Sequence, residues 1–129
     1  MSQKILLKAT DLKVHYPVRN GFFNLGPQRT LKAVDGVSFE LYEGEVLAIV
    51  GESGCGKSSL GRALVRLHEP TSGKLEICGA DFLSLKGTAL RKARPQIQMI
   101  FQDPYASLDP RMTVGDTLRE PLQAHKSLF

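Results

Sequence analysis

The chain has 129 residues, of which 42% are hydrophobic and 23% charged, values ordinary for one globular domain or for part of a larger one. Its net charge is +4, but the basic residues are scattered, which favours a solvated surface over a nucleic-acid or membrane-binding face. The two cysteines, Cys55 and Cys78, are too few for a disulfide framework or a zinc cluster. No apolar run approaches the roughly 20 residues of a membrane-spanning helix, so any membrane role is expected through a partner.

The chain is predicted to begin with a β-strand over residues 5–16. The pattern has a break at Thr10-Asp11, where two polar residues interrupt the apolar alternation. Pro17 should end the strand, because proline has no amide hydrogen to donate to a sheet ladder.

A loop and a second strand are predicted next. Residues 18–30 contain two glycine-based turn signals and should form the loop. Residues 37–41 alternate apolar and polar side chains, the period of a half-buried strand. The turn at residues 43–45 should then form a hairpin with the next apolar segment. The early part of the chain is therefore expected to form an antiparallel β layer.

A strand, a glycine-rich loop and a helix follow in that order. Residues 46–50 are all apolar and are predicted to form a short strand buried on both faces. After the loop, apolar residues recur at helical spacing from Leu60 to Leu67. The loop itself has the spelling glycine, four residues, then glycine, lysine and serine, which is the phosphate-binding loop pattern.

The loop pattern predicts a site for a nucleotide with magnesium. Glycines let the backbone turn its N–H groups into one concavity, to which the helix N-terminus adds partial positive charge. Lys57 should reach the β- and γ-phosphates, and Ser58 should place its hydroxyl on Mg²⁺. The alternative is a glycine-rich turn without a ligand. The predicted phosphate-binding residues are Gly51, Glu52, Ser53, Gly54, Cys55, Gly56, Lys57, Ser58 and Ser59.

The second half of the chain continues the alternation of strands and helices. Residues 69–73 read as a stop and turn, and residues 74–78 as a short strand. Residues 83–92 are predicted to be helical. Thr113, followed three residues later by Asp116, resembles a capping box that starts a last helix, which Pro121 should kink or end.

Residues 97–101 are apolar except for Gln98 and are predicted to form a strand that leads to a second magnesium ligand. Two residues compete for that role. Asp103 could supply a carboxylate, but it stands two positions beyond the apolar run and directly before Pro104. The alternative places Gln102 beside the magnesium ion and the attacking water.

Four segments together resemble the ATP-binding subunits of ABC transporters, and among them most closely the oligopeptide and dipeptide importer group. They are residues 12–18, 33–39, 51–59 and 97–111. The resemblance runs from about Leu12 to about Leu122 and implies an incomplete α/β P-loop NTPase core with an N-terminal antiparallel β layer, forming one portion of a nucleotide-binding domain over residues 1–129.

The resemblance also implies the roles of single residues. Tyr16 would stack on adenine, with Phe22 or Phe23 as alternatives. Lys57 and Gln102 would act in catalysis, and Ser58 and Gln102 would complete the Mg²⁺ shell of ATP. The three histidines receive no chemical role.

As partners, the resemblance implies membrane-embedded permease subunits, contacted through residues 102–111, and a second ATP-binding subunit. The protein would lie peripherally at the cytoplasmic face of the membrane and couple ATP binding and hydrolysis to uptake of peptides or similar solutes, without nucleic acid. The alternatives are a non-catalytic remnant or regulatory module of such a subunit, or another P-loop NTPase that uses Asp103 for magnesium.

Three features of the resembled family do not occur in this sequence: its Leu-Ser-Gly-Gly-Gln signature, its apolar strand ending in Asp-Glu, and its switch histidine. The chain is therefore expected to correspond to about the first half of such a domain. We expect it to show no meaningful ATPase turnover by itself, since a carboxylate that orients water is missing. We also expect exposed sheet edges and partial order.

Overall fold

A computed structural model describes residues 3–18, 29–103 and 105–126. In this part of the chain, four antiparallel strands form one sheet in the order β2-β1-β3-β4. The predicted antiparallel β layer is therefore present. The strands are β1 (Ile5–Val18), β2 (Arg29–Tyr42), β3 (Ser72–Ile77) and β4 (Ala80–Asp81). The helices are α1 (Lys57–Leu64), α2 (Gly87–Ala93) and α3 (Val114–Ala124), with a short 3₁₀ turn at Arg94–Gln96.

The hydrophobic core lies where the central strands β1 and β3 meet helix α1. A bulge in β1 keeps its apolar residues on the core side: the register shifts between Ala9 and Leu12, and Asp11 takes a positive φ of 47°. The predicted break at Thr10-Asp11 is this bulge. The buried apolar side chains are Leu7, Ala9, Leu12, Val14, Val34, Leu60, Ala63, Leu75, Ile77 and Phe82.

The predicted boundaries of β1 and β2 were too narrow. Pro17 lies inside β1 and pairs with Thr30. The pairing of β1 with β3 ends at Lys13. Among the described strands, β2 is then the one neighbour of β1 at Pro17, and a proline is tolerated on such an edge. β2 begins at Arg29, eight residues before residue 37. The aromatics Phe22 and Phe23 lie outside the described residues.

Two predicted strands are absent from the described part of the chain. Residues 46–50 and 97–101 belong to no strand, and Val46, Val50 and Ile100 are 94%, 91% and 96% exposed. The turn after β2 forms, with the Glu45 amide donating to the Tyr42 carbonyl at 3.1 Å, but the expected hairpin does not. A strand exists only with a hydrogen-bonded neighbour, and none of the four described strands pairs with either segment.

The helices were predicted with mixed success. α1 ends at Leu64, and Leu67 is 55% exposed beyond it, because Arg66 takes a positive φ of 52° that a right-handed helix does not allow. The helix expected over residues 83–92 begins only at Gly87, since the Asp81 carboxylate accepts bonds from the Leu83 and Ser84 amides and holds them in a turn.

The capped start of α3 is confirmed. Thr113 Oγ1 accepts a hydrogen bond from the Asp116 amide at 3.1 Å, as a capping residue should. Pro121 was expected to kink or end the helix; it does not end it, since α3 continues to Ala124. Only three residues follow the proline, so the interruption costs one internal hydrogen bond near a helix end. Among the described helices, none is long and apolar enough to cross a membrane.

Candidate nucleotide-binding site

The glycine-rich loop leads directly into helix α1. Gly54 and Gly56 have φ angles of 83° and 97°, in the left-handed region that glycine adopts without strain. Gly56 is the residue that caps α1, which begins at Lys57. The first amide groups of a helix have no intrahelical acceptor, so the start of α1 offers N–H donors and partial positive charge to an anion.

Close contact with β2 fixes the position of this loop. A side chain on Gly56 would collide with the carbonyl oxygen of Ala33. Ala33 is an extra residue in β2, because Val14 pairs with Val34 while the next residue of β1, His15, pairs with Lys32. Such a bulge bends a strand locally. The bulge therefore brings β2 against the base of the loop, where only glycine fits.

A cavity of about 660 Å³ opens beside the loop. Of the described residues that line it, Lys32 and Lys57 carry charge and none is acidic, so the cavity suits an anionic ligand. The lining residues are Tyr16, Leu31, Lys32, Ala33, Ser53, Gly54, Cys55, Gly56, Lys57, Ser58, Ser59 and Gln102. The structure thus brings most of the sequence-predicted site residues together.

Gly51 and Glu52 were also predicted to bind phosphate but do not line the cavity. Their carbonyl oxygens accept hydrogen bonds from Lys57 Nζ at 2.6 and 2.7 Å. Cys55 Sγ lies 3.5 Å from the same ammonium group. In this arrangement the Lys57 side chain folds back onto its own loop. Gly51 and Glu52 therefore bind the lysine and do not form part of the cavity wall.

Tyr16 reaches the cavity from β1, far from the loop in sequence. Its hydroxyl lies 3.5 Å from His68 Nδ1, and the two rings meet edge to face, with centroids 6.1 Å apart and planes at 88°. Such a perpendicular contact is a favourable geometry for aromatic pairs. His68, which was assigned no role from the sequence, thus contacts the Tyr16 ring.

The structure separates the two candidates for the second magnesium ligand. Gln102 lines the cavity together with Ser58. Asp103 does not line it, and its Oδ1 accepts hydrogen bonds from the amides of Tyr105 at 2.9 Å and Ala106 at 3.2 Å. The carboxylate therefore serves as the acceptor of a local turn.

Sequence reasoning missed three lining residues, Leu31, Lys32 and Ala33. Leu31 pairs directly with Tyr16 across the sheet. These three residues could have been found only from the register between β1 and β2, which no local sequence motif indicates.

Lys32 interacts with Asp35, which in turn contacts His15. Its Nζ lies 3.1 Å from Asp35 Oδ2, and the other oxygen of Asp35 lies 2.8 Å from His15 Nε2. Hydrogen bonds from Lys32 and then from His15 hold the pKa of the Asp35 carboxyl below its ordinary value, because both favour the ionised form.

The donor set also fits a magnesium ion bound with phosphates. In the described part of the chain, no three His, Cys, Asp or Glu side chains form a metal cluster. Mg²⁺ in nucleotide sites keeps several waters and is bound by phosphates with only one or two protein ligands. The hydroxyl of Ser58 and the amide oxygen of Gln102, both at the cavity, can supply such ligands.

The chain is similar to one known family and to several of its members. The sequence model of the family described as "ABC transporter" matches residues 34–128. The chain is 52% identical over 126 residues to the oligopeptide transport ATP-binding protein OppF of Salmonella typhimurium, covering 95% of this chain and 37% of that protein. It is 52% identical over 126 residues to the dipeptide transport ATP-binding protein DppF of Escherichia coli, covering 98% of this chain and 37% of that protein.

A third relative is slightly less similar. The oligopeptide transport ATP-binding protein AppF of Bacillus subtilis is 48% identical over 128 residues, covering 96% of this chain and 38% of that protein. The chain thus spans a little over a third of the length of these curated relatives.

Among solved structures, cbiO1 from Clostridium perfringens, described as part of the ABC transporter complex cbiONQ, matches with a TM-score of 0.63 and 22% identity. The match covers 94% of this chain and 49% of that one. At this level of identity the likeness concerns the fold, and it confirms the predicted fold class.

Proposed function

Because the chain belongs to the ABC transporter family, as the resemblance of its motifs indicated, we propose that it binds ATP with Mg²⁺ in the 660 Å³ cavity beside helix α1. The observation that carries the proposal is the meeting of three distant segments at this cavity. Tyr16 from β1, the glycine-rich loop, and Gln102 line one space whose charged side chains are both lysines.

Each part of the cavity suits one part of the nucleotide. Tyr16 offers an aromatic face for the adenine base. The amides at the start of α1 and the Lys57 ammonium suit the phosphates, because backbone donors and a positive charge together stabilise a polyanion. Lys57 would exchange its bonds to the Gly51 and Glu52 carbonyls for bonds to phosphate oxygens.

When bound, Mg²⁺ neutralises charge on the β- and γ-phosphates. The Ser58 hydroxyl and the Gln102 side chain are the residues of this chain that would hold it. Gln102, which lines the cavity, would also orient a water molecule, since its amide both donates and accepts hydrogen bonds.

We further propose that the chain is the nucleotide-binding portion of a subunit that hydrolyses ATP to drive the uptake of peptides or similar solutes. The support is the roughly 50% identity to proteins named for oligopeptide and dipeptide transport. Binding of ATP would favour closure of two such subunits on each other, and hydrolysis would reopen them, a population shift driven by the γ-phosphate.

The proposed membrane partner would dock beyond Gln102, so that the protein is held peripherally at the cytoplasmic face. The segment that follows it exposes large apolar side chains, which suit contact with another protein surface. Their exposed fractions are 90% for Tyr105, 57% for Leu108, 78% for Val114, 69% for Leu118 and 52% for Leu122.

Calorimetric titration of the 129-residue chain with ATP and Mg²⁺ tests the proposal. The replacement Lys57→Ala should weaken ATP binding by about tenfold to a hundredfold. This range corresponds to the loss of hydrogen bonds to a charged group, which contribute about 1.5–3 kcal/mol. Lys8→Ala is the matched control, because Lys8 forms an ion pair with Glu40 at 2.7 Å and does not line the cavity. Equal affinity of the parent and Lys57→Ala would overturn the proposal.

A further inference from the structure

Lys32 lies in the wall of the cavity between the two ends of the proposed nucleotide site. The residue before it, Leu31, pairs with Tyr16, and the residue after it, Ala33, contacts Gly56 of the phosphate loop. Lys32 therefore stands on β2 between the aromatic residue and the glycine-rich loop. A ligand that spans these two ends passes this position.

The side chain of Lys32 is free to change partners. It is 60% exposed and forms an ion pair with Asp35 at 3.1 Å. Exposed ion pairs are weak, so a ligand with several negative charges can compete for the lysine. Asp35 retains a partner if Lys32 leaves, because its second carboxylate oxygen lies 2.8 Å from His15 Nε2. The exchange leaves no carboxylate without a hydrogen bond.

Charge in the cavity favours this exchange. Lys32 and Lys57 are the charged side chains among the described lining residues, while Asp35 does not line the cavity. Lys57 lies at the start of α1 and Lys32 in β2, and both line the cavity. An anion in the cavity would meet positive charge from two different elements of the fold.

We propose that Lys32 is a second cationic contact for the phosphates of the bound nucleotide, released from Asp35 when the nucleotide enters. The assignment rests on the proposed function of the cavity. It gives Lys32 a role in affinity for the polyphosphate and no role in recognition of the base.

Titrations with ATP and with adenosine separate these two contributions, since adenosine has the base and ribose without phosphates. In the full chain, Lys32→Gln should weaken ATP binding by about threefold to fivefold, the upper range for one exposed ion pair, and leave adenosine binding unchanged. Lys32→Arg should retain most of the ATP affinity. Lys8→Gln, which removes a paired lysine of the same sheet away from the cavity, should change neither titration.

A variant of Asp35, the ion-pair partner of Lys32, should have the opposite effect on ATP affinity. Asp35→Asn removes the competing charge and should tighten ATP binding by about twofold or more. This gain should shrink when Lys32→Gln is also present, because the two changes act on one interaction.

ATP affinity of Lys32→Gln equal to that of the parent would overturn the assignment of Lys32. An equal loss for ATP and adenosine would overturn it too, since it would indicate a packing role. If Lys57→Ala loses ATP while Lys32→Gln retains it, only the Lys32 contact fails. If the parent chain binds no ATP, the proposed function itself fails.

Discussion

Gly56 and the carbonyl group of Ala33 are so close that no side chain fits between them. Gly56 precedes the first residue of α1, and Ala33 is the bulged residue of β2. The contact joins the antiparallel sheet to the start of the helix. It therefore fixes the glycine-rich loop relative to the sheet that carries Tyr16.

Gly56→Ala should disrupt the site for two reasons. The φ of 97° is unfavourable for alanine, at about 1–3 kcal/mol, and the added carbon would displace Ala33 or the loop. We expect loss of measurable ATP binding in a calorimetric titration and a lower stability of the chain.

Gly44→Ala separates these two reasons. Gly44 has a φ of 77°, but an added carbon would meet no atom within 4 Å. This control should lose about 1 kcal/mol of stability and retain ATP binding. Unchanged ATP affinity of Gly56→Ala would show that the contact with Ala33 does not position the loop.

The choice between Gln102 and Asp103 can be decided by comparing titrations with Mg²⁺ and with a chelator. Gln102→Ala should reduce the gain in ATP affinity that Mg²⁺ provides, because it removes a proposed ligand at the cavity. Asp103→Asn should leave that gain intact, since the asparagine oxygen can still accept from the amides of Tyr105 and Ala106. The reverse result would assign magnesium to Asp103.

Local signals made part of this fold predictable. The glycine-rich loop specifies its own conformation, because glycine is needed at positive φ and the helix begins next to it in sequence. The start of α3 is also local, since Thr113 bonds an amide three residues away. Both were predicted from a few neighbouring residues.

Features that depend on distant partners could not be predicted. Residues 46–50 have the composition of a buried strand, but composition does not supply the neighbour with which a strand must pair. The bulge at Ala33 and the position of Lys32 at the cavity follow from the register between β1 and β2. That register depends on the packing of the whole core, and no short stretch of the sequence specifies it.

The ion pair between Lys32 and Asp35 should make the stability of the folded chain depend on pH. Hydrogen bonds from Lys32 and His15 lower the pKa of Asp35, so the folded chain binds the proton of this carboxyl less readily than the unfolded chain. The resulting stabilisation is complete above the ordinary aspartate pKa and is lost as the pH falls through the lowered value, in the range below about pH 4.

An NMR titration of the Asp35 carboxyl checks this cause. Lys32→Gln should raise the pKa of Asp35 toward its ordinary value, because the largest stabilising hydrogen bond is removed. Lys8→Gln should leave it unchanged and should instead raise the pKa of Glu40, which Lys8 holds below its ordinary value. An unchanged Asp35 titration in Lys32→Gln would mean that the ion pair does not persist in solution.

Arg66 lies two residues beyond the end of α1 and is buried, with 7% exposed. Its guanidinium group donates to the carbonyl oxygens of Phe82 and Leu85, both at 2.8 Å, and pairs with Glu69 at 2.8 Å. The fork shape of arginine satisfies these acceptors at once. Arg66 thus connects the end of the helix that follows the glycine-rich loop to the segment after β4.

Arg66→Ala should loosen this attachment, because it leaves two carbonyl groups without their donor at a cost of about 2–4 kcal/mol. Amide exchange provides a local measurement: the Phe82 amide donates to the Leu75 carbonyl at 2.8 Å and should report opening of this region. Its exchange should become about thirtyfold faster or more, since 1.4 kcal/mol corresponds to tenfold. Arg119→Ala removes an exposed arginine with one 3.4 Å contact to Asp116 and should not change it. Unchanged protection of Phe82 in Arg66→Ala would show that packing of Phe82 in the core, without the arginine, holds this end of α1 in place.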